Sequence, residues 1–84
     1  RQMVRTPSFS GMEGNLAQLV AEEMARLGFD GVKLDDMGNV VGRIGGGQKP
    51  HLLLYTHLDT VGIGNITAWQ RDPLAGVVES GILY

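Results

Sequence analysis

Apolar residues recur at spacings of three and four along residues 12–27, and this pattern predicts an amphipathic helix. Ser10 followed by Glu13 is typical of a capping box at the start of a helix, and Gly28 stands where a left-handed residue commonly ends one. The predicted apolar face consists of Leu16, Leu19, Val20, Met24 and Leu27, and the polar face of Asn15, Gln18, Glu22 and Arg26.

Two short stretches with strand character, residues 31–35 and 39–44, flank a turn at residues 37–39 and predict a hairpin. Asp35 and Asp36 precede this turn. They could be read as paired carboxylates for acid–base chemistry, but an Asp at such a place commonly bonds nearby backbone groups, so a turn role is favoured. Residues 76–84 predict a second pair of strands around a turn.

Residues 51–56 contain the longest apolar run, Leu-Leu-Leu-Tyr. Continuous rather than alternating apolarity predicts a strand covered on both faces, as in the middle of an α/β sheet. The glycine-rich residues 45–50 could cradle a phosphate only if a helix followed, so a flexible connection is the favoured interpretation. The long irregular stretch 58–75 is of a length that is usually functional in compact domains.

The chain has 84 residues, no cysteine and a formal net charge of -2. Without cysteine, a metal site would need His, Asp and Glu ligands. No basic patch favours nucleic acid or a membrane surface as a partner, and no apolar run is long enough to span a membrane. The first residues lack an initiator Met and an apolar signal core, and the last strand is short. We therefore expect residues 1–84 to be a partial domain, cut at both ends, of a cytoplasmic protein.

The candidate site is the pair His57 and Asp59, which follows the apolar run directly. In open α/β sheets, ligand sites lie beyond the carboxyl ends of the strands. Side chains two residues apart on an extended chain lie on the same side, so the two can act together. A neutral imidazole can bind zinc through one nitrogen while the other donates to a carboxylate. The triplet alone is common, and its position makes a metal site plausible.

The sequence Thr-His-Leu-Asp-Thr-Val at 56–61 resembles the first metal motif of the di-zinc aminoacylase and metallopeptidase family. That family includes acetylornithine deacetylase, succinyl-diaminopimelate desuccinylase, aminoacylase and carboxypeptidase G. The segments 5–13, 36–40 and 69–84 are similar to successive parts of the same family in the same order. The likeness extends to a subgroup labelled selenium-metabolism hydrolases. Leu74 departs from the Phe that many relatives carry after Asp-Pro, which bears on the pocket rim and therefore on substrate choice.

The resemblance implies an α/β fold, as the N-terminal part of a three-layer α-β-α sandwich. It implies that His57 ligates zinc and that Asp59 is the catalytic aspartate that orients this histidine. Two Zn²⁺ ions are expected in the full-length enzyme, with Co²⁺ or Mn²⁺ as alternatives. The implied function is hydrolysis of an amide bond in a peptide or N-acyl amino acid by a metal-activated water, and the full-length protein could form a homodimer.

The family's remaining groups would lie beyond Tyr84: a bridging aspartate after Gly-Arg-Gly, a glutamate general base, further carboxylates and a late histidine. We therefore expect the 84 residues alone to bind zinc weakly and to be inactive. The alternative is a non-catalytic relative, or an inactive fragment that keeps only the fold. His51 is favoured as a surface histidine rather than a ligand. Trp69 could cap a pocket or bury a local cluster.

Overall fold

The structure is a computed structural model that describes residues 1–47, 49 and 51–84. Gln48 and Pro50, which belong to the predicted glycine-rich loop, lie outside the described residues. In chain order the elements are helix α1 (Gly14–Arg26), strands β1 (Gly31–Leu34) and β2 (Val40–Arg43), a short 3-10 helix (Ile66–Ala68), and strands β3 (Val78–Glu79) and β4 (Ile82–Leu83).

Helix α1 begins two residues later than predicted, and the predicted capping box is wrong. Glu13 occupies the N-cap position, and its carboxylate accepts a hydrogen bond from the Gly11 backbone N–H at 2.8 Å. Gly11 has a φ of 83°, which interrupts the helical path before the first turn. The Ser10 hydroxyl donates to another partner, Asp59, instead of capping the helix.

The C-terminal end of α1 closes as predicted. Gly28 adopts a left-handed φ of 80°, and its N–H donates to the Ala25 carbonyl at 3.1 Å. The N–H of Phe29 donates to the Met24 carbonyl, also at 3.1 Å. This pair of bonds is a Schellman motif, which satisfies carbonyl groups that the helix leaves without partners.

The helix has the apolar face that its sequence predicts, with one exception. Leu16 and the neighbouring Ala17 are buried, and the polar face is exposed. Leu19, Val20 and Met24 are half-buried. Leu27 is 60% exposed because it follows the last helical residue, where the chain turns away through Gly28. The prediction of an amphipathic helix is therefore confirmed, and its predicted last residue, Leu27, lies just beyond the helix end.

The predicted hairpin is confirmed as the antiparallel pair β1 and β2, whose register runs from Gly31 opposite Arg43 to Leu34 opposite Val40. Helix α1 packs against both strands. The closest approach is at Gly42, where an added Cβ would lie 2.6 Å from the sulfur of Met24 and 2.6 Å from the ring of Phe29. The absence of a side chain at this position allows the helix end and the hairpin to pack.

The hairpin turn is organised by Asp35, as the turn interpretation predicted. Its carboxylate accepts hydrogen bonds from the backbone N–H groups of Met37 at 3.0 Å and Asn39 at 2.8 Å, and from the Asn39 side-chain amide at 3.0 Å. These bonds favour the ionised form and hold the pKa of Asp35 below its ordinary value. The carboxylate is therefore used structurally.

Residues 51–56 do not form the predicted strand. The two described sheets each contain two strands, and neither includes this segment. All six residues are exposed, and the four apolar side chains are 84–90% exposed. A strand covered on both faces needs neighbouring strands and overlying helices. No described residue provides either, so the apolar run remains open to solvent.

The C-terminal half meets the N-terminal half at two places. Phe9 and Thr60 form a parallel bridge, and the Arg5 guanidinium donates to the Ala75 carbonyl at 2.8 Å. Residues 58–75 are irregular apart from the 3-10 helix, as predicted. The second hairpin, β3 with β4, is also confirmed. No helix in the described part of the chain has the length and apolarity needed to cross a membrane.

The architecture is a small α+β arrangement of one helix and two antiparallel hairpins. This fits a fragment of an α/β enzyme domain. The three-layer sandwich and its largely parallel sheet stay predictions, because they require strands that the described residues do not form.

Replacing Gly42 with alanine should destabilise the fold. The new Cβ meets the flexible end of Met24, which can move, and the ring of Phe29, which packs between helix and hairpin. We expect a loss of about 1–3 kcal/mol in the free energy of unfolding, measured by urea denaturation. The matched control is Gly46→Ala, since a Cβ there meets open space. Equal stability of the two variants would contradict the packing role of Gly42.

The Asp35 turn should make the hairpin sensitive to acid. The pKa of Asp35 is lower in the folded chain than in the unfolded chain. Its contribution to the free energy of unfolding is therefore complete above the ordinary pKa and is lost as the pH falls through the lowered pKa. We expect Asp35→Ala to lower the melting temperature at pH 7, and the gap to wild type to narrow as the pH falls. Asp36→Ala removes the adjacent carboxylate and is the control. A gap that does not change with pH would oppose this account.

Candidate functional site

The structure brings His57 and Asp59 together, as the sequence predicted. The imidazole Nδ1 lies 3.0 Å from the Asp59 carboxylate oxygen Oδ1 and 3.0 Å from the Asp59 backbone carbonyl oxygen. Both partners are hydrogen-bond acceptors, so Nδ1 must carry the proton. In the neutral ring, Nε2 then has an available lone pair. No described residue hydrogen-bonds to Nε2, and the side chain is 76% exposed.

The second oxygen of the Asp59 carboxylate is also engaged. Oδ2 accepts a hydrogen bond from the Ser10 hydroxyl at 2.8 Å. This bond, with smaller contributions from the charge and hydrogen bond of His57, holds the pKa of Asp59 below its ordinary value. Asp59 is therefore ionised at neutral pH, which suits a carboxylate that accepts a proton from an imidazole N–H.

A short pairing between the segments 8–10 and 59–60 holds this arrangement. The Thr60 N–H donates to the Ser8 carbonyl at 2.8 Å, within the bridge between Phe9 and Thr60. Ser8 is 1% exposed, and its hydroxyl lies 3.5 Å from the Thr60 hydroxyl. The sequence pattern did not predict the contacts of Ser8 and Ser10. Local sequence pattern could not predict these contacts, because the partner residues lie 49 and 52 positions away in the chain.

An open cleft of about 540 Å³ lies beside the pair. The side chains that line it are mostly apolar and include Phe9, Leu16, Ile63, Trp69 and Leu74, with His57 and Asp59 among the polar ones. The Trp69 indole N–H donates to the Ile63 carbonyl at 2.8 Å, which fixes the ring in the wall. Of the two roles considered for Trp69, lining a pocket is therefore the one that the structure has. Leu74 also lies in the wall, as its rim position predicted.

The chain's other candidate ligands are not gathered at this site. Within the described residues, no group of three or more His, Asp or Glu side chains is arranged to hold a metal ion. His51 is exposed, and Asp35 is used in the hairpin turn. The described part of the site thus contributes one imidazole and its oriented carboxylate.

Comparison with known proteins gives several relatives. The chain is 49% identical over 77 residues to the uncharacterized protein YgeY of Escherichia coli K12, a match that covers 92% of this chain and 19% of that protein. It is 34% identical to succinyl-diaminopimelate desuccinylase of Acinetobacter baylyi, covering 98% of this chain and 22% of the relative. It is 38% identical to the protein of the same name from Afipia carboxidovorans, a match that covers 94% of this chain and 21% of that protein.

The chain spans about a fifth of the length of the curated relatives that it matches. No protein-family model and no solved structure matches it. The relatives named as desuccinylases agree with the family that the sequence motifs resemble, and they relate the chain to hydrolases.

The contacts of His57 predict its tautomer. Free neutral histidine carries its proton mainly on Nε2, whereas the Asp59 acceptors require it on Nδ1 here. We expect ring ¹⁵N chemical shifts at a pH above the imidazole pKa to show Nδ1–H as the main form. Asp59→Ala should shift the population toward Nε2–H, because the carboxylate acceptor is removed. His51, which is exposed, serves as an internal control in the same spectra. A main Nε2–H form in wild type would contradict the assignment.

Proposed function

We propose that this chain is part of a zinc-dependent hydrolase that cleaves an amide bond in a peptide or an N-acyl amino acid. In this proposal His57 ligates one zinc ion through Nε2, and Asp59 orients the ring. The observation that carries it is the arrangement of the imidazole. Nδ1 is committed to two acceptors, and Nε2 has no hydrogen-bond partner among the described residues.

The donor set fits zinc as one part of a larger site. An imidazole whose other nitrogen donates to a carboxylate is the usual form of a zinc-binding histidine. A catalytic zinc commonly has three protein ligands and an open position, so two or more ligands must come from elsewhere. The full-length enzyme of the proposal holds two zinc ions, with the remaining ligands and a glutamate base supplied beyond Tyr84.

Each described group has a defined task in this chemistry. When bound, zinc acts as a Lewis acid that polarises a carbonyl and lowers the pKa of water to about 7. Asp59 keeps the proton of His57 on Nδ1 and fixes the ring angle. The cleft with Trp69 and Leu74 in its wall offers a mostly apolar surface for the substrate, as small-molecule sites usually do.

The names of six relatives support hydrolysis as the reaction, since each is called succinyl-diaminopimelate desuccinylase. The most similar relative described above, YgeY, has no activity in its name. The proposal therefore specifies the class of bond that is cleaved, an amide, and does not specify a succinyl group in the substrate. A non-catalytic relative that keeps the fold is the competing outcome of the tests.

Zinc titration tests the ligand assignment. We expect the chain to bind zinc weakly, with the largest change in ¹⁵N shift at Nε2 of His57. His57→Ala should abolish this weak binding, and Asp59→Ala should reduce the affinity by roughly 10- to 100-fold, as is usual when the partner of a metal ligand is lost. His51→Ala is the matched control and should bind like wild type. Equal affinity of His57→Ala and wild type would defeat the assignment.

The coding frame beyond Tyr84 tests the enzyme itself. A following Gly-Arg-Gly segment with an aspartate, then a Glu-Glu pair and a distant histidine, would provide the remaining groups. The protein encoded by that frame should then hydrolyse N-acyl amino acids or dipeptides and lose activity on zinc chelation. A continuing frame without these groups would favour the non-catalytic relative.

A further inference from the structure

The N-terminal segment 8–10 contacts the candidate site without belonging to the His57–Asp59 motif. Its backbone accepts a hydrogen bond from Thr60, and its Ser10 hydroxyl donates to Asp59. Ser8, at the start of the segment, is almost fully buried. The segment is therefore held by a backbone contact at Thr60 and a side-chain contact at Asp59.

The two oxygens of the Asp59 carboxylate have different partners. Oδ1 receives the His57 Nδ1–H at 3.0 Å, and Oδ2 receives the Ser10 hydroxyl at 2.8 Å. A carboxylate with one hydrogen bond can rotate about its Cβ–Cγ bond while keeping that bond. A second donor from another part of the chain restricts this rotation, and hydrogen bonds to an ionised group are the stronger kind.

We propose that Ser10 is a positioning residue, which holds the Asp59 carboxylate in the orientation that receives the Nδ1–H of His57. The effect of Ser10 on zinc binding rests on the proposed function, whereas its effect on the Asp59 carboxylate does not. The helix begins at Gly14 with Glu13 as its N-cap, so Ser10 lies outside the capping position and its hydroxyl donates to Asp59. A residue near the N-terminus thereby holds a carboxylate in the second half of the chain.

Loss of the Ser10 hydroxyl has a specific consequence. The Asp59 backbone carbonyl lies 3.0 Å from Nδ1 and remains an acceptor, so the imidazole keeps one of its two contacts. The carboxylate is then free to rotate, and the preference for the Nδ1–H tautomer weakens. Zinc requires the lone pair on Nε2, so any population of Nε2–H competes with metal binding.

The test uses four variants of the 84-residue chain, read first without metal. Ser10→Ala and Ser10→Cys remove the strong hydroxyl donor, Ser10→Thr keeps it, and Thr67→Ala removes an exposed hydroxyl that donates to Asn65 instead. The readout is the tautomer of His57 from ring ¹⁵N shifts. The Thr60 amide signal reports in each variant whether the pairing with Ser8 is intact. Ser10→Cys keeps an atom at the γ position and replaces Ser10→Ala if the latter does not fold.

We expect Ser10→Ala and Ser10→Cys to increase the Nε2–H population with the Thr60 signal unchanged. Ser10→Thr and Thr67→Ala should match wild type. In a zinc titration, Ser10→Ala should weaken binding by about 10-fold, at the lower end of the loss usual for residues that orient a metal ligand.

An unchanged tautomer in both Ser10→Ala and Ser10→Cys would overturn the positioning role, as would a failure of Ser10→Thr to restore it in a folded chain. The tautomer is measured without metal, so its outcome is separate from the proposed function. A tautomer shift in a chain that binds no zinc would leave Ser10 as a positioning residue and reject the zinc proposal alone.

Discussion

The backbone hydrogen bond from Thr60 to Ser8 joins the helical half of the chain to the half that contains the candidate site. It lies within the bridge that sets Phe9 beside Thr60, and it brings Ser10 within reach of Asp59. The Asp59 carboxylate in turn determines the tautomer of His57. One main-chain contact therefore accompanies the long-range side-chain contacts of the site, while the pairing of His57 with Asp59 is local. The hydrogen bond from the Arg5 side chain to the Ala75 carbonyl also joins these two halves of the chain.

Sequence alone predicted the elements whose causes are local. The apolar spacing of α1, the left-handed Gly28 at its end and the antiparallel hairpin all follow from residues within a few positions of one another. The same holds for Asp35, whose partners lie two and four residues away. The pairing of His57 with Asp59 is also local, and it was predicted for the same reason.

Two of the errors have the opposite character, since they concern contacts outside the local sequence. Ser10 has the right spacing from Glu13 for a capping box, but the helix begins at Gly14 with Glu13 as its N-cap. The Ser10 hydroxyl donates to a carboxylate 49 residues away. Residues 51–56 have the composition of a buried strand, and burial requires surfaces that local pattern does not contain. Closing a loop of about 50 residues costs conformational entropy, so whether Ser10 meets Asp59 depends on the whole fold and not on the nearby sequence.

The apolar run at residues 52–55 affects how the polypeptide behaves while these side chains are exposed. It is apolar, uncharged and free of proline, and its backbone is outside both described sheets. Segments of this composition template the addition of strands from other chains and can nucleate cross-β aggregates. The apolar segment that leads into the candidate site is therefore also a surface on which strands of other chains could add.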